Sequence, residues 1–392
     1  MQKLPQWLPP NPTEVSATMG GLFATDAKGV NALAYGGVGG SVSGLTWITP
    51  QGERWVIPRT QYFFDETGCI LPDGSRLVCA TDLGPQGLPL LSPKPGLDLI
   101  DFLAGSEGWL GAAAELELRL FPAPLESWAV IYYFAEDGQA SAFCRQLASW
   151  RKSRENAKML SAVEYYDAST LDLLRQNKET LSTLKSLPAL PEHAWEAVYV
   201  VLQGDDSEIL EEALAAHLDA FEEAGGMEED TWAAMGGGEM EPFDALRHAI
   251  PELVNMQVDS TRLSFPAFHK PAVEFAGPPA AWEKYISMYH QEMAKGCLKG
   301  YVFGHILDNR LHVNLLAKDD AEWSLCWETI RKWARSVVAD DGLLAGEIGV
   351  GKLRLPLFGD MIPQARKAQV DQIRQQLDPL SRMAVPNWED AT

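Results

Sequence analysis

Apolar and polar positions alternate along this chain at two periods, and the change between them divides it into three stretches. In residues 1–125 the apolar segments are short and punctuated by Gly20-Gly21, Gly36-Gly37 and Gly39-Gly40. Leu45-Thr46-Trp47-Ile48 predicts a strand closed by a Pro50-Gln51-Gly52 turn. Residues 115–120 read Glu-Leu-Glu-Leu-Arg-Leu, the period of a half-buried strand. From 126 the texture lengthens. Residues 128–134 are an apolar β-rich run, 139–154 read as a helix, and 197–202 as a strand. Residues 207–224 predict a helix with Ile209, Leu210, Leu214, His217, Leu218 and Phe221 on one stripe, ended by Gly225-Gly226. Residues 225–242, with three consecutive glycines and several acids, read as a loop. Strands over 301–316 precede a helix over 321–338, and a final helix over 362–377 stops at Asp378-Pro379. Strands returning with helices between them predict an α+β middle region, 126–340, with a mainly antiparallel sheet, and a last segment, 341–392.

Composition narrows the function. The 392 residues are 46% hydrophobic and 22% charged, an ordinary globular balance. A formal net charge of -22 repels phosphate backbones and anionic lipid heads, which argues against nucleic-acid or polybasic membrane binding. The five cysteines, Cys69, Cys79, Cys144, Cys297 and Cys326, show no C-x-x-C spacing. An iron–sulfur cluster, a zinc knuckle or a disulfide scaffold is not expected, and a reducing cytoplasmic setting fits. Residues 1–12 lack a basic region followed by an apolar one, so no signal peptide is read there. No apolar run approaches the roughly 20 residues that span a bilayer.

Four segments carry candidate chemistry. Gly105-Ser106-Glu107-Gly108-Trp109-Leu110-Gly111 lets the main chain approach a ligand, or is a plain turn. Thr18, Gly20, Gly21, Thr25 and Gly29 sit in a small-residue stretch suited to a flat, bulky ligand, or to tight packing alone. In residues 304–314, His305 and His312 stand seven apart around Asp308-Asn309. A two-residue turn there pairs Leu307 with Arg310, Ile306 with Leu311 and His305 with His312. Opposed residues have Cβ atoms about 5 Å apart, so the imidazoles either grip one divalent cation or hydrogen-bond at the surface. Asn314 shares their face. Glu347, in Gly346-Glu347-Ile348-Gly349-Val350-Gly351, completes a His-His-Glu set or is a solvated turn residue.

Taken in order, these motifs resemble the FAD-linked oxidase family of D-lactate, glycolate and D-2-hydroxyglutarate dehydrogenases. Residues 17–29 are similar to its A-T-x-G-G-x-x-x-T-N-A-x-G pattern, with Asp26 for Asn. Residues 105–111 resemble G-S-E-G-T-L-G, with Trp109 for Thr. Arg247-His248-Ala249-Ile250-Pro251 resembles R-H-A-x-P. Residues 304–314 resemble G-H-x-G-D-G-N-x-H-x-N, with Leu307, Asn309 and Arg310 departing, and residues 346–351 resemble G-E-H-G-x-G, with Ile348 for His.

The resemblance implies the second half of a PCMH/VAO-type FAD-binding domain over 1–125, a substrate cap over 126–340, and a return to the flavin domain over 341–392. It implies FAD bound by Thr18, Gly20, Gly21, Thr25, Gly29, Gly105, Ser106, Glu107, Gly108 and Gly111. It also implies a divalent metal, zinc or similar, on His305, His312 and Glu347, with Arg247 and Asn314 at a 2-hydroxyacid substrate. The family's upstream pyrophosphate loop has no counterpart in these residues, so either a partner polypeptide is expected to supply it or the gene product is truncated. An iron–sulfur subunit, an electron-transfer flavoprotein or a quinone-linked partner is expected to collect the electrons. Ile348 cannot accept a proton where the family places a histidine base. A non-catalytic assembly subunit is the alternative these departures leave open.

Overall fold

The structure, a computed structural model, describes residues 5–384 apart from 13–15, 85, 89, 90, 155, 186, 279 and 348. The chain forms two compact units: Met1–Ala123 with Ala334–Thr392, and Pro124–Trp333.

Unit 1 is built on a three-stranded antiparallel sheet. Its central strand β1 (Val42–Ile48) lies between β2 (Arg54–Pro58) and β3 (Ala112–Leu118). Leu45, Trp47, Trp55 and Ile57 are buried on one side. Thr46, Val56 and Glu115 lie on the other, paired through Thr46↔Val56 and Thr46↔Glu115. Helix α1 (Met19–Ala24) is only six residues long, too short to stand on propensity. Thr18 caps it, its Oγ1 accepting from the Gly21 N–H at 3.1 Å.

Unit 2 is a seven-stranded, wholly antiparallel sheet. Its strands are β4 (Glu126–Phe134), β5 (Leu160–Tyr166), β6 (Glu196–Gly204), β7 (Thr231–Met235), β8 (Ala272–Ala276), β9 (Lys299–His305) and β10 (Arg310–Leu316), in the order β7-β4-β6-β5-β9-β10-β8. Five helices alternate with them: α2 (Gln139–Lys152), α3 (Ala168–Asn177), α4 (Ser207–Glu223), α5 (Glu241–Ser264) and α6 (Trp282–Gly296). Helix α7 (Asp320–Ala339) follows. One face, here the back, is mostly apolar, apart from buried Glu196, which accepts from Tyr165 Oη at 2.7 Å. Tyr132 and Phe134 of β4 meet Phe143 of α2 and Phe221 of α4 with ring centroids 4.7–5.7 Å apart. Trp333 of α7 packs edge-on against Tyr289 of α6.

Two expectations change here. The stretch read as a loop over 225–242 contains β7, an edge strand paired with β4 through Trp232↔Ile131 and its neighbours. Only five residues long and flanked by acids and glycines, β7 carries too little apolar pattern to read as a strand. On α4 the buried stripe is Leu210, Ala213, His217, Ala220 and Phe221, while Ile209 faces outward at 48% exposure. Small alanines, not the larger leucines, let α4 sit close to the sheet. Among the described residues no helix is long and apolar enough to cross a membrane.

Candidate functional site

Three of the four motifs come together in unit 1. The Gly105 N–H donates to Phe23 O and the Glu107 N–H to Ala24 O, tying the 105–111 loop to the end of α1. The loop turns through left-handed residues, Gly105 (φ 72°), Glu107 (φ 51°) and Gly108 (φ 74°). The Glu107 carboxylate then accepts the N–H groups of Val350 and Gly351, both at 2.7 Å, at the start of helix α8 (Gly351–Phe358). A carboxylate there complements the positive end of the helix. Burial raises the Glu107 carboxyl above its ordinary range, against the lowering effect of those two donors and of Arg354. Lys28 Nζ donates to Gly346 O at 3.1 Å, fixing the segment that carries half-buried Glu347.

The candidate FAD residues divide into two groups. Gly29 has no room for a side chain, since a Cβ would lie 2.1 Å from Asn11 O, so it serves packing. Thr25 bonds back to Gly21 O and closes α1. At Gly108 and Gly20, by contrast, a Cβ would meet nothing closer than 3.8 Å. Ser106 is fully buried, with its Oγ lacking a hydrogen-bond partner among the described residues. Open backbone beside an orphaned buried hydroxyl fits the edge of a polar, planar group such as the flavin. Asp26, at φ 47°, stands where the family pattern has Asn; both tolerate the left-handed region, and Asp26 Oδ1 accepts from the Gly39 N–H.

Unit 2 carries the rest on the front face of its sheet. Directly opposed residues share a face, so the register fixes a row: Tyr199 (β6), Glu164 (β5), His305 (β9) and Arg310 (β10). A second row runs Tyr166, Phe303, His312 and Glu274. Asn314 follows on the same face, opposite Tyr301. Helix α5 crosses this face. Phe243 stacks on Tyr199, Arg247 Nε donates to Glu164 Oε1 at 2.8 Å, and Gln257 Oε1 accepts from Tyr301 Oη at 2.7 Å. The other Glu164 oxygen accepts from Tyr166 Oη at 3.3 Å, and His305 Nδ1 lies 3.6 Å from Glu164 Oε1. Glu164 and His305 are each 4% exposed. Burial opposes the Arg247 charge, but the Glu164 carboxylate outweighs it and holds the guanidinium more firmly protonated than usual. Burial and then Glu164 push the Tyr166 hydroxyl far above its ordinary range.

The expected hairpin has a different register. His305 pairs with Arg310, and His312 pairs with Phe303, on whose ring it stacks. The turn spans Ile306 to Asn309, closed by the Asn309 N–H to Ile306 O bond at 2.8 Å. Asn309 takes φ 48° and is held by Gly277 and Pro278, so it belongs to the turn and the strands begin farther out. The shift is by two residues, which preserves parity: His305, His312 and Asn314 do share one face. They do not form the expected metal grip. The position opposite His305 belongs to a cation, Arg310, and like charge there opposes a divalent ion. Among the described residues no group of three or more His, Cys, Asp or Glu side chains could hold a metal. His305 and His312 lie in unit 2 and Glu347 in unit 1, and Ile348 lies outside the described residues.

Sequence reasoning missed Glu164, Tyr166, Glu274 and Arg310 as members of this face. A signal existed for the first: Glu164 is the single carboxylate in Leu-Ser-Ala-Val-Glu-Tyr-Tyr, a segment buried along its whole length. Buried carboxylates need partners, so such a residue marks a network.

Comparison with known proteins follows the same outline. Residues 143–385 match the model for the C-terminal domain of FAD linked oxidases. The D-lactate dehydrogenase of Anaerostipes hadrus is 22% identical over 391 residues, covering 95% of this chain and 69% of that protein. The mitochondrial D-2-hydroxyglutarate dehydrogenase of Rattus norvegicus is 23% identical over 376 residues, covering 93% of this chain and 58% of that protein. A solved alkyldihydroxyacetonephosphate synthase superposes with a TM-score of 0.57 at 12% identity, over 96% of this chain and 59% of its own. The chain thus spans well under two thirds of that structure, whose likeness concerns the fold. By its α+β fold, its motif order and the family match over most of unit 2 and the C-terminal segment, this chain belongs to the FAD-linked oxidases.

Proposed function

We propose that the chain is part of an FAD-linked 2-hydroxyacid dehydrogenase, with FAD held in unit 1 and the hydroxyacid on the front face of unit 2. The observation that carries this reading is the buried row Arg247–Glu164–His305. A carboxylate facing Nδ1 favours the imidazole tautomer with its proton there, which leaves the lone pair on Nε2. His305 Nε2 then takes the substrate hydroxyl proton as the C2–OH becomes a carbonyl, in place of the family base lost at Ile348. Glu164 steadies the resulting imidazolium, and Arg247 fixes Glu164 through a charge-assisted bond. FAD, when bound, supplies the two-electron acceptor for the hydride leaving C2.

Ser106 and the open backbone at Gly20 and Gly108 support the FAD assignment. The names of the relatives support D-lactate or D-2-hydroxyglutarate as substrates. An electron-accepting protein and a partner contributing more of the flavin domain complete the proposal. The test is anaerobic: the full chain, with FAD and any co-purifying subunit, is mixed with D-lactate or D-2-hydroxyglutarate. Bleaching of the flavin absorbance is expected. A colourless protein that never reduces flavin would point to the assembly-subunit alternative.

A further inference from the structure

Arg310 stands on the front face of unit 2 without a part in the chemistry above. It opens β10, directly opposite His305, on the face that also carries Glu164 and His312. Its Nε is buried, and among the described residues no acceptor reaches that nitrogen and no carboxylate pairs with the guanidinium. Arg310 as a whole is half-buried, so its other nitrogens remain open to a ligand, while a buried N–H without an acceptor is costly and is relieved by a ligand that supplies one. The neighbouring guanidinium differs, because Arg247 already has a carboxylate, Glu164, inside the fold. Arg310 also occupies the position that the resembled family pattern fills with an uncharged Asn. The change therefore adds one fixed positive charge at the place where a metal ion would have supplied two.

We propose that Arg310, rather than a divalent metal ion, provides the positive charge beside His305 and binds the substrate carboxylate. The planar fork of a guanidinium matches a carboxylate through two parallel N–H···O bonds. In that pose the hydroxyl carbon, one bond from the carboxylate, is brought toward the cross-strand neighbour His305. This inference rests on the hydroxyacid reading, and deepens it by naming the anchor that selects the substrate.

The experiment uses the full chain, dialysed against a chelator and checked by elemental analysis, with oxalate as the probe in titration calorimetry. Oxalate affinity is expected to change less than about twofold on metal removal. Arg310→Gln is expected to weaken it about 10–100-fold, the size of a lost charge-assisted pair. Arg310→Lys, which keeps the charge without the fork, is expected to fall between, and it carries the comparison should the Gln variant fold poorly. Oxalate binding that disappears on chelation and returns with Zn²⁺ overturns the proposal. So does unchanged affinity in Arg310→Gln, or no oxalate binding by the wild-type chain. The two readings fail separately. Chelation-sensitive oxalate binding with intact flavin reduction sinks only the role of Arg310. Arg310-dependent oxalate binding without flavin reduction sinks only the redox function.

Discussion

The motif cluster of unit 1 and the front face of unit 2 keep their family patterns in different ways. In unit 1 the work is done by main chain: glycines turn the 105–111 loop, and Glu107 grips backbone N–H groups of the 350–351 segment. Substitutions there are tolerated when the new residue adopts the same backbone, as Asp26 does at φ 47°. In unit 2 the work is done by side chains whose charges answer one another across strands. A substitution of similar placement, Arg310, leaves the hairpin standing and alters the charge it presents. A site made of backbone drifts in sequence and keeps its chemistry, whereas a site made of side chains can keep its fold and exchange its chemistry.

This contrast predicts unequal costs for removing one carboxylate from each region. Glu164→Ala strips the buried Arg247 of its carboxylate and should cost about 3–5 kcal/mol in denaturant unfolding. If the loss is under about 1 kcal/mol, water reaches Arg247 and the row is not a closed network. Glu107→Ala orphans two backbone donors and should cost less, about 2–3 kcal/mol, with visible loosening of the 346–351 segment in hydrogen exchange. Equal losses in the two variants would erase the distinction between the regions.

A third buried group sharpens it. His217 of α4 is as inaccessible as His305, yet both its ring nitrogens lack partners among the described residues, and it packs edge-on against Trp150. Burial, with a lesser push from Arg154, lowers its pKa to about 3. The unfolded chain protonates near the ordinary value of 6.5, so below that pH unfolding takes up a proton the native state refuses. Its contribution to stability is present above pH 6.5 and is lost as the pH falls toward 3. At pH 5 the penalty is about 2 kcal/mol, and His217→Leu should recover most of it there while changing little at pH 8. Equal effects at both pH values would mean that the imidazole is hydrated in the native state.

Long periodic segments were legible from sequence: β4, β6, α2, α4 and α7, and in unit 1 the final helix over Gln364–Leu377, all lie where the apolar pattern puts them. Strand β7 was not, because an edge strand needs little apolar pattern. The hairpin was half legible. Spacing gave the shared face of His305, His312 and Asn314, since parity survives an even shift. It did not give the partner across the strand, because that depends on whether Asn309 enters the left-handed region. Glu164 escaped notice because its importance comes from Arg247, 83 positions away, and only the fold shows that pairing.

The order of the two units along the chain sets a timetable for synthesis. Unit 2 is one uninterrupted stretch, whereas unit 1 is finished by residues that follow it. Glu107 waits for amides 243 and 244 positions downstream, and Lys28 for a carbonyl 318 positions away. At roughly 5–20 residues per second, a ribosome delivers those partners about 10–50 s after Glu107 leaves the tunnel. The sheet of unit 2 can close during that interval, while the glycine loop at 105–111 must remain without its anchor until residues 350 and 351 have been made.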